Sequence, residues 1–511
     1  MPFEVRPFNK DALYECLSNR YVSATYIEAH FRQPQYLVGY LGELGAKTIV
    51  DEKEYIDGDY LDDYASYYVR CFDQYGNRCR RLHFFRNVFL DADLQKWITE
   101  PNASSDKNLQ KSYLGYVVVR PLPEAVIGRT ALITYEPQPL RTYSALKEYK
   151  VSLFGIPLTI RSLAYQQQDT VVAACATVAL WSAFHKTADL FQTPVMRPAA
   201  ITNVANQVKV PGRAMPSHGL RLEQMCEAVR QVGLEPLVEP VGPSTPLLSI
   251  IHGYLEYELP IVLGVGVRRE ENGKVSYPAH AITIVGCKLA DSVPSVSEPK
   301  RDNVQSIGSR IYKVYAHDDE VGPFARFAVE ALPRELKPHS REFGHIRPPF
   351  VFCGYGITGL PETTLAPLFV LVPVYGKIRV TYTEVDAWAQ YFANLLKLFD
   401  LDPLALEWDI HLTDTQRYKQ LLREKYIAVP GVRDLIVQPQ PRFIWRAVAR
   451  FEETVLFEFA ADATGLERSC PLFALIWHDG SFERWFKANL TRTTKDQVAR
   501  LYTQRFADLI F

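Results

Sequence analysis

The chain has 511 residues, of which 47% are hydrophobic and 23% are charged, as is typical of globular proteins. Its 57 basic and 58 acidic residues leave a formal net charge of −1, so no strong global field favours nucleic acid or an anionic membrane as a partner. No stretch of about 18 apolar residues occurs, which argues against a membrane-spanning helix. At roughly 100–200 residues per domain, this length predicts three domains, although two or four would also fit.

The eight cysteines are spread singly along the chain, and only Cys71 and Cys79 lie close together. This scatter is unlike a disulfide framework, and no CxxC pair suggests a zinc site. The first residues also lack the apolar stretch of a signal peptide. We therefore expect free thiols, a cytoplasmic location, and neither a metal nor another cofactor.

Helices and strands are both predicted in the first third of the chain. Residues 24–44 have a helical pattern, and residues 113–120 (YLGYVVVR) are a strand candidate. Pro121 and Pro123 end this strand, because proline cannot continue a hydrogen-bonded ladder. The segment is predicted to be a separate α+β domain of residues 1–145, whose role its sequence does not reveal.

The middle of the chain has the clearest pattern. Residues 173–190 form a helical pattern with an apolar face, and residues 220–232 form an amphipathic helix that Gly233 ends. Three strand candidates follow, at residues 260–267, 280–287 and 309–317. The stretch 290–308 is rich in Ser, Pro and charge and is predicted to be an exposed loop insertion. Helices followed by an antiparallel sheet indicate an α+β domain, assigned to residues 146–378.

The last third also mixes the two kinds of element. Helical patterns and then strand-like patterns occur at residues 385–398, 413–425, 443–451 and 472–478. We recognise no set of catalytic residues among them. Residues 379–511 are therefore predicted to form an α+β accessory domain.

Three residues in the middle of the chain have the chemistry and the placement of a catalytic triad. Cys175 lies near the start of a predicted helix, where the positive end of the helix dipole stabilises a thiolate. His280 begins a strand, where it can face a helix N-terminus and act as a general base. Asp318 ends the next strand and could accept the second ring N–H of His280. Each residue alone also has an ordinary structural explanation, as a buried cysteine, a structural histidine or a turn aspartate.

Five segments contain these residues and their neighbours: QQQDTVVAACATVALWSAF, GLRLEQMCEAVRQVGLEP, LPIVLGVGV, HAITIVGC and HDDEVGPF. In this order they resemble the nucleophile helix, the next helix, the strand after it, the His strand and the final Asp segment of papain-like cysteine peptidases, especially the C39-like bacterial branch. The family's Asp is followed a few residues later by Gly, and the spacing to Gly322 favours Asp318 over Asp319. The resemblance covers about residues 150–330. It implies a papain-like core, a helix bundle with an antiparallel sheet, flanked by the two other α+β domains.

Carried over to the matching positions, the resemblance implies Cys175 as nucleophile, His280 as general base and acid, and Asp318 as the group that orients His280. The family's oxyanion hole combines the backbone N–H of the nucleophile with the side-chain amide of an upstream Gln. That Gln usually lies six positions before the Cys, where this chain has Asp169. Gln168 lies seven positions before it and could take this role if the loop is one residue longer.

The sequence departs from the family pattern at several positions. An anionic Asp169 that pointed into the oxyanion hole would oppose the negative charge that develops there. Gln167 and Gln166 lie further from the nucleophile and fit the role less well. The family commonly has Gly directly after the Cys and Pro directly after the Asp, where this chain has Ala176 and Asp319.

These features predict a cysteine hydrolase, specifically a protease that cleaves peptide or isopeptide bonds through a thioester acyl-enzyme. The same triad can also carry out acyl transfer or transglutamination. The departures leave open a third possibility, a catalytically inactive papain fold that acts as a binding or scaffold protein. The expected partners are a protein or peptide substrate and a protein bound through the N- or C-terminal domain, with no nucleic acid and no membrane.

Overall fold

The computed structural model of the chain describes residues 2–100, 103–169, 174–209, 219–299, 301, 303–332, 348–354, 363–465 and 471–490. Helices and strands occur together along these residues, and the fold class is mixed α+β, as predicted. The chain divides into two compact units. Unit 1 consists of Met1–Pro240, Pro260–Lys288 and Lys313–Pro373, and unit 2 consists of Val241–Leu259, Leu289–Tyr312 and Val374–Phe511. The three domains proposed from the sequence, with boundaries near residues 145 and 378, stay a prediction.

The first part of the chain folds into helices that surround an antiparallel sheet. In chain order the elements are β1 (Phe3–Pro7), α1 (Lys10–Leu17), α2 (Ala24–His30), α3 (Arg32–Glu43), β2 (Thr48–Tyr55), α4 (Gly58–Ser66), β3 (Cys79–Phe85), α5 (Asp91–Thr99), α6 (Ala103–Ser112), β4 (Tyr113–Val119), β5 (Ile127–Leu132), β6 (Arg141–Thr142), β7 (Lys147–Leu153) and β8 (Ile156–Ser162). Strands β1 to β5 pair in sequence order, and β7 and β8 form a hairpin. The strand predicted at residues 113–120 is β4, and the helix predicted at residues 24–44 is two helices, α2 and α3, that meet at Phe31.

The middle part of the chain contains a long buried helix and a closed barrel. Its elements are α7 (Cys175–Phe191), α8 (Pro198–Ala205), α9 (Leu222–Gln231), β9 (Leu234–Pro240), α10 (Leu247–Leu255), β10 (Ile261–Val267), β11 (Arg269–Glu271), β12 (Lys274–Ser276), β13 (Ala279–Leu289), β14 (Gln305–Ser306), β15 (Ile311–Asp318), β16 (Gly322–Glu330), β17 (Val351–Gly354) and β18 (Thr364–Tyr375). Strands β10, β13, β15, β16, β17 and β18 are neighbours in this order, and β18 also pairs with β10. The six strands therefore close into a barrel.

The predicted helices and strands of this middle region match the structure closely. The helix expected from residue 173 begins at Cys175, and residue 173 itself lies outside the described residues. Helix α9 ends before Gly233, whose φ of +84° suits a residue without a side chain. The three strand candidates are β10, β13 and β15. Hydrophobic periodicity was sufficient to predict these helices and strands because each of them buries a continuous apolar face.

Helix α7 is held in place by buried polar contacts as well as by its apolar face. Almost all of its residues are buried, and it contacts β10 of the barrel. The hydroxyl of Ser182 donates to the carbonyl of Ala164 at 2.8 Å. From the barrel, the hydroxyl of Thr283 on β13 donates to the carbonyl of Ala179 at 2.9 Å. The first turns of α7 are therefore fixed relative to β13.

Unit 2 has its own sheet and its own core. Its further elements are α11 (Tyr382–Leu398), β19 (Glu407–Asp414), α12 (Thr415–Lys425), α13 (Val432–Val437), β20 (Phe443–Phe451), β21 (Thr454–Asp462), β22 (Leu472–Trp477) and α14 (Gly480–Asn489). Strands β14, β19, β20, β21 and β22 form one sheet in this order. The helices and strands predicted in the last third correspond to α11, α12, β20 and β22.

The prediction of an exposed loop at residues 290–308 is correct only in part for the described residues of that stretch, which leave out 300 and 302: residues 290–299 are irregular and 291, 292 and 295 are exposed, but the rest is not. Within it, β14 pairs in parallel with β19. Glu298 is only 6% exposed and accepts the backbone N–H of Ser249 at 2.9 Å. Arg301 forms an ion pair with Asp386 of α11. The polar composition suggested a solvent-exposed loop, but these polar groups pair with distant parts of unit 2.

Candidate active site

The candidate nucleophile, Cys175, is the first residue of α7. Its side chain is half-buried. Ala174 is the N-cap and has no side-chain oxygen, so it cannot accept a hydrogen bond from the first N–H groups of the helix. Those N–H groups have no intrahelical acceptor and carry the positive end of the helix dipole. These N–H groups can therefore donate to an oxygen of a ligand bound beside Cys175.

The candidate base, His280, is the second residue of β13 and lies opposite Val265 of β10 in the barrel. Its ring is buried, and its Nε2 lies 3.0 Å from Oδ1 of Asp318. The Cys175 side chain is close enough to the ring to act on its pKa. Because Nε2 is engaged with the carboxylate, Nδ1 is the nitrogen that is left for the thiol.

The candidate orienting group, Asp318, is the last residue of β15 and is 1% exposed. Its Oδ1 accepts two hydrogen bonds, from His280 and from the backbone N–H of Glu320 at 3.0 Å. The second bond fixes the carboxylate within its own turn, so the ring of His280 meets an acceptor of defined position.

The charge state of His280 follows from these neighbours. Burial alone would lower the pKa of its imidazole, because burial penalises the charged form. The negative charges of Asp318 and Asp319 outweigh that effect, and hydrogen bonding of the ring to Asp318 and Cys175 raises the pKa further. The pKa of His280 is therefore raised well above its ordinary value, which favours an imidazolium beside the thiol.

Asp319 is a second buried carboxylate beside the same ring. Its Oδ1 lies 3.8 Å from Nε2 of His280, against 3.0 Å for Asp318. Its Oδ2 is buried and has no hydrogen-bond partner among the described residues. Burial raises the pKa of Asp319 to about 7; the charge of His280 opposes this rise and the charge of Asp318 adds to it. Of the two aspartates, Asp318 has the hydrogen-bonding distance.

These three side chains could be considered as metal ligands, since one donor atom of each of His280, Asp318 and Asp319 lies within 4.8 Å of the others. In the observed arrangement, however, the 3.0 Å contact between Nε2 and Oδ1 is a hydrogen bond in which the ring donates. A protonated Nε2 has no lone pair for a metal. The geometry therefore fits an oriented, charged imidazole better than a metal site.

The glutamines that precede the nucleophile differ in their contacts. The side chain of Gln167 is fully engaged, accepting from the N–H of Ile127 at 3.2 Å and donating to the carbonyl of Glu124 at 3.4 Å. Gln168 is half-buried, and within the described residues no hydrogen bond joins it to Cys175. Gln166 is buried, and its Nε2 has no partner among the described residues. Residues 170–173, which connect these glutamines to α7, lie outside the described residues.

Asp169 is turned toward Tyr68. The hydroxyl of Tyr68 donates to Oδ2 of Asp169 at 2.9 Å, and both side chains are buried. Burial, and then the charge of Asp169, raise the pKa of Tyr68 far above its ordinary value, so the hydroxyl stays a donor. One carboxylate oxygen of Asp169 is thus engaged by the N-terminal part of the chain. Tyr68 was not predicted from the sequence, because no local signal marks a tyrosine about one hundred residues away.

The other histidines near the site have structural contacts. Nδ1 of His317 accepts the N–H of Phe324 at 3.1 Å, so Nε2 carries the proton and donates to the carbonyl of Leu163 at 3.0 Å. Burial lowers the pKa of His317 to about 3, which keeps it neutral. His185, on α7, packs against Trp181 and is buried as well.

Comparison of the sequence with known families and with curated proteins finds no matching family and no matching protein. Among the described residues, no helix combines the length and the apolar character needed to cross a bilayer. A function must therefore be inferred from the residues of the site and from their geometry.

Proposed function

We propose that this chain is a cysteine hydrolase, more specifically a protease that acts on a protein or peptide substrate. The observation that carries the proposal is the arrangement of Cys175, His280 and Asp318: the thiol is within reach of the imidazole, and the imidazole donates to the carboxylate at 3.0 Å. Each residue sits where its role requires it: the thiol at a helix N-terminus and the imidazole between that thiol and a buried carboxylate. No cofactor is needed for this chemistry.

In the proposed reaction, the Cys175 thiolate adds to the carbonyl carbon of the scissile bond. The N–H groups at the start of α7 stabilise the negative oxygen that forms. The His280 imidazolium gives its proton to the leaving amine, which departs and leaves a thioester on Sγ. Water then adds to the thioester while His280 takes its proton, and collapse of the second tetrahedral intermediate frees the acid and the thiol.

Gln168 is our candidate for the second oxyanion donor. Its competitor Gln167 already uses both ends of its amide on backbone groups of the first part of the chain. Asp169, whose carboxylate would oppose the oxyanion, accepts a hydrogen bond from Tyr68. These two contacts support Gln168 by removing its neighbours from the role.

A papain-like core is the architecture we propose for the catalytic part. Three features support it. The nucleophile is the first residue of a long buried helix, and the other two residues come from neighbouring strands of a closed six-stranded barrel. Thr283 also links that helix to the His strand by a hydrogen bond.

A reducing compartment such as the cytosol suits this proposal, because a catalytic thiol must stay reduced and none of the seven described cysteines forms a disulfide.

The test is the reactivity of Cys175 toward iodoacetamide, followed residue by residue with mass spectrometry. At pH 6 an ordinary thiol is only about 0.3% thiolate, whereas a thiolate paired with an imidazolium stays largely ionised. We expect Cys175 to react more than about tenfold faster than the half-buried Cys71 at this pH, and His280→Ala to abolish the difference. Equal rates for the two cysteines in the wild-type protein would contradict the proposal.

The products separate proteolysis from acyl transfer. With a peptide library as substrate, a protease yields new free carboxyl and amino termini, which mass spectrometry detects. An acyltransferase or transglutaminase with the same triad transfers the acyl group to an added amine instead of water. If neither product forms, with the wild type just as with Cys175→Ala, the binding or scaffold alternative is supported.

A further inference from the structure

Helix α3 lies against the turn that carries the candidate catalytic aspartate, although the two are almost 300 residues apart in sequence. Nε2 of Gln33 donates to the backbone carbonyl of Asp319 at 2.8 Å. One turn of helix further on, the hydroxyl of Tyr36 donates to the backbone carbonyl of Pro323 at 2.8 Å. The two ends of the turn at residues 318–323 are thus both bonded to one face of α3.

Tyr36 also packs closely against the backbone of this turn. The ring of Tyr36 is buried, and a Cβ added at Gly322 would lie 2.2 Å from its Cδ1. Only a glycine lets this ring approach the backbone so closely. Burial raises the pKa of Tyr36 well above its ordinary value, so its hydroxyl keeps the proton that it donates to Pro323.

Two further residues connect the same turn to its surroundings. Arg32, the first residue of α3, is near enough to Asp318 and Glu320 for their charges to counter the lowering of its pKa by burial. On the other side, the hydroxyl of Tyr165 donates to the carbonyl of Asp319 at 3.4 Å. That carbonyl therefore receives bonds both from α3 and from the segment that leads to the nucleophile helix.

The position of this turn determines the geometry of the triad. The Asp318 carboxylate is fixed by the N–H of Glu320, which belongs to the turn itself. If the turn moved by about 1 Å, Oδ1 of Asp318 would leave hydrogen-bonding distance of His280. Turns at the ends of strands are among the parts of a protein that open most easily, so donors from outside the hairpin are needed to hold one in place.

We propose that Gln33 and Tyr36 of α3 are positioning residues, which hold the turn at residues 318–323 so that Asp318 stays bonded to His280. This inference rests on the proposed function, since the triad is what is being positioned. It makes the N-terminal part of the chain a support of the catalytic geometry rather than a separable accessory.

The test compares variants at the two ends of α3 in the full-length protein. Gln33→Met keeps a side chain of similar length without the donor, and Tyr36→Phe keeps the ring without the hydroxyl. The matched control is Glu43→Gln, which breaks the pair between Glu43 and Arg326 at the far end of α3, at 2.7 Å, without touching the turn. Two readouts are used: the pH profile of Cys175 alkylation by iodoacetamide, and the pKa of His280 from NMR titration.

We expect Gln33→Met and Tyr36→Phe each to slow alkylation of Cys175 at pH 6 by about threefold to tenfold, the effect of losing one hydrogen bond. Both should lower the pKa of His280, because Asp318 is the main source of its rise. Glu43→Gln should leave both readouts unchanged. A merely structural role would change the unfolding temperature of all three variants without moving the pKa of His280.

Two outcomes have separate meanings. If Cys175 is fast in the wild type and both α3 variants keep its rate and the pKa of His280, the positioning role is overturned. If Cys175 is no faster than Cys71 in the wild type, the proposed function fails. In that case a lowered pKa of His280 in the α3 variants would still show that α3 holds the turn. Should Tyr36→Phe fail to fold, the half-buried Gln33 provides the decisive variant.

Discussion

Asp318 and Asp319 are adjacent in sequence but differ in what they can do for His280. Asp318 is at hydrogen-bonding distance from Nε2, and its Oδ1 is fixed by a backbone N–H. Asp319 is 3.8 Å from Nε2, and one of its oxygens is buried without a partner among the described residues. The first is placed to orient the ring by a hydrogen bond, whereas the second acts on it mainly through charge, and only when it is ionised.

Substitution of the two aspartates should therefore have unequal effects. Asp318→Asn removes the charge-assisted bond and permits the wrong ring tautomer, so alkylation of Cys175 at pH 6 should fall by roughly 10- to 100-fold. Asp319→Asn should lower the rate by less than about fivefold. Site-resolved iodoacetamide labelling of both variants measures this. Equal losses of rate in the two variants, or a larger loss in Asp319→Asn, would show that the orienting role does not belong to Asp318.

Asp319 should also make the stability of the protein depend on pH. Its folded-state pKa of about 7 lies above its ordinary value of 3.8, so the folded protein holds this proton more tightly than the unfolded chain. The resulting stability is complete below pH 3.8 and is lost as the pH rises through 7. Asp319→Asn lacks this dependence, so the wild type should lose roughly 4 kcal/mol relative to the variant between pH 4 and pH 8. Urea unfolding at both pH values measures the difference, and a constant difference would contradict the prediction.

At the scale of the elements, a hydrogen bond links α7, which carries Cys175, to β13, which carries His280. Thr283 and Ala179 make this link through one fully buried hydrogen bond. Thr283→Val keeps the shape but loses the hydroxyl, and should cost about 1 kcal/mol of unfolding free energy and slow Cys175 alkylation. Thr283→Ser keeps the hydroxyl and should retain the labelling rate, although it loses a methyl group. The reverse order of the two variants in labelling rate would show that packing, not this bond, sets the distance from Cys175 to His280.

The elements themselves were largely predictable from the sequence. Helix α7 and strands β10, β13 and β15 each bury a continuous apolar pattern, and such patterns are visible locally. The stretch 290–308 was not predictable in this way. Its polar groups are paired with Ser249, Asp386 and β19, and pairing at that sequence distance leaves no trace in local composition.

At the scale of the whole molecule, the candidate site also combines residues that local sequence patterns identify with residues that only tertiary contacts identify. Cys175, His280 and Asp318 could be chosen from the sequence because each lies at an element boundary suited to its chemistry. The groups that surround them, Tyr68 and Gln33, could not be chosen, since they lie in a part of the chain with no catalytic pattern. The sequence thus reveals residues whose role follows from local position, and misses those whose role follows from tertiary contact.

The N-terminal part of the chain contributes structure to the segment before Cys175. Tyr165 exchanges two backbone hydrogen bonds with Thr130, at 2.7 and 2.9 Å. The N–H of Gln167 donates to the carbonyl of Ile127 at 3.0 Å, and its own carbonyl accepts from Arg120 at 2.9 Å. Residues up to Pro240 also belong to one compact unit. A cut near residue 145 would therefore remove partners from backbone groups that are buried in the intact protein.

We accordingly expect a chain of residues 146–511 to lose the folded site. Buried N–H and carbonyl groups without partners cost about 1–3 kcal/mol each. The cut would remove the partners of several such groups, and it would also remove α3 from the turn that it holds. Cys175 in the truncated chain should react with iodoacetamide no faster than Cys226, and adding residues 1–145 as a separate polypeptide should restore the difference. A truncated chain that keeps fast Cys175 labelling and a cooperative unfolding transition would show instead that residues 1–145 form an independent domain.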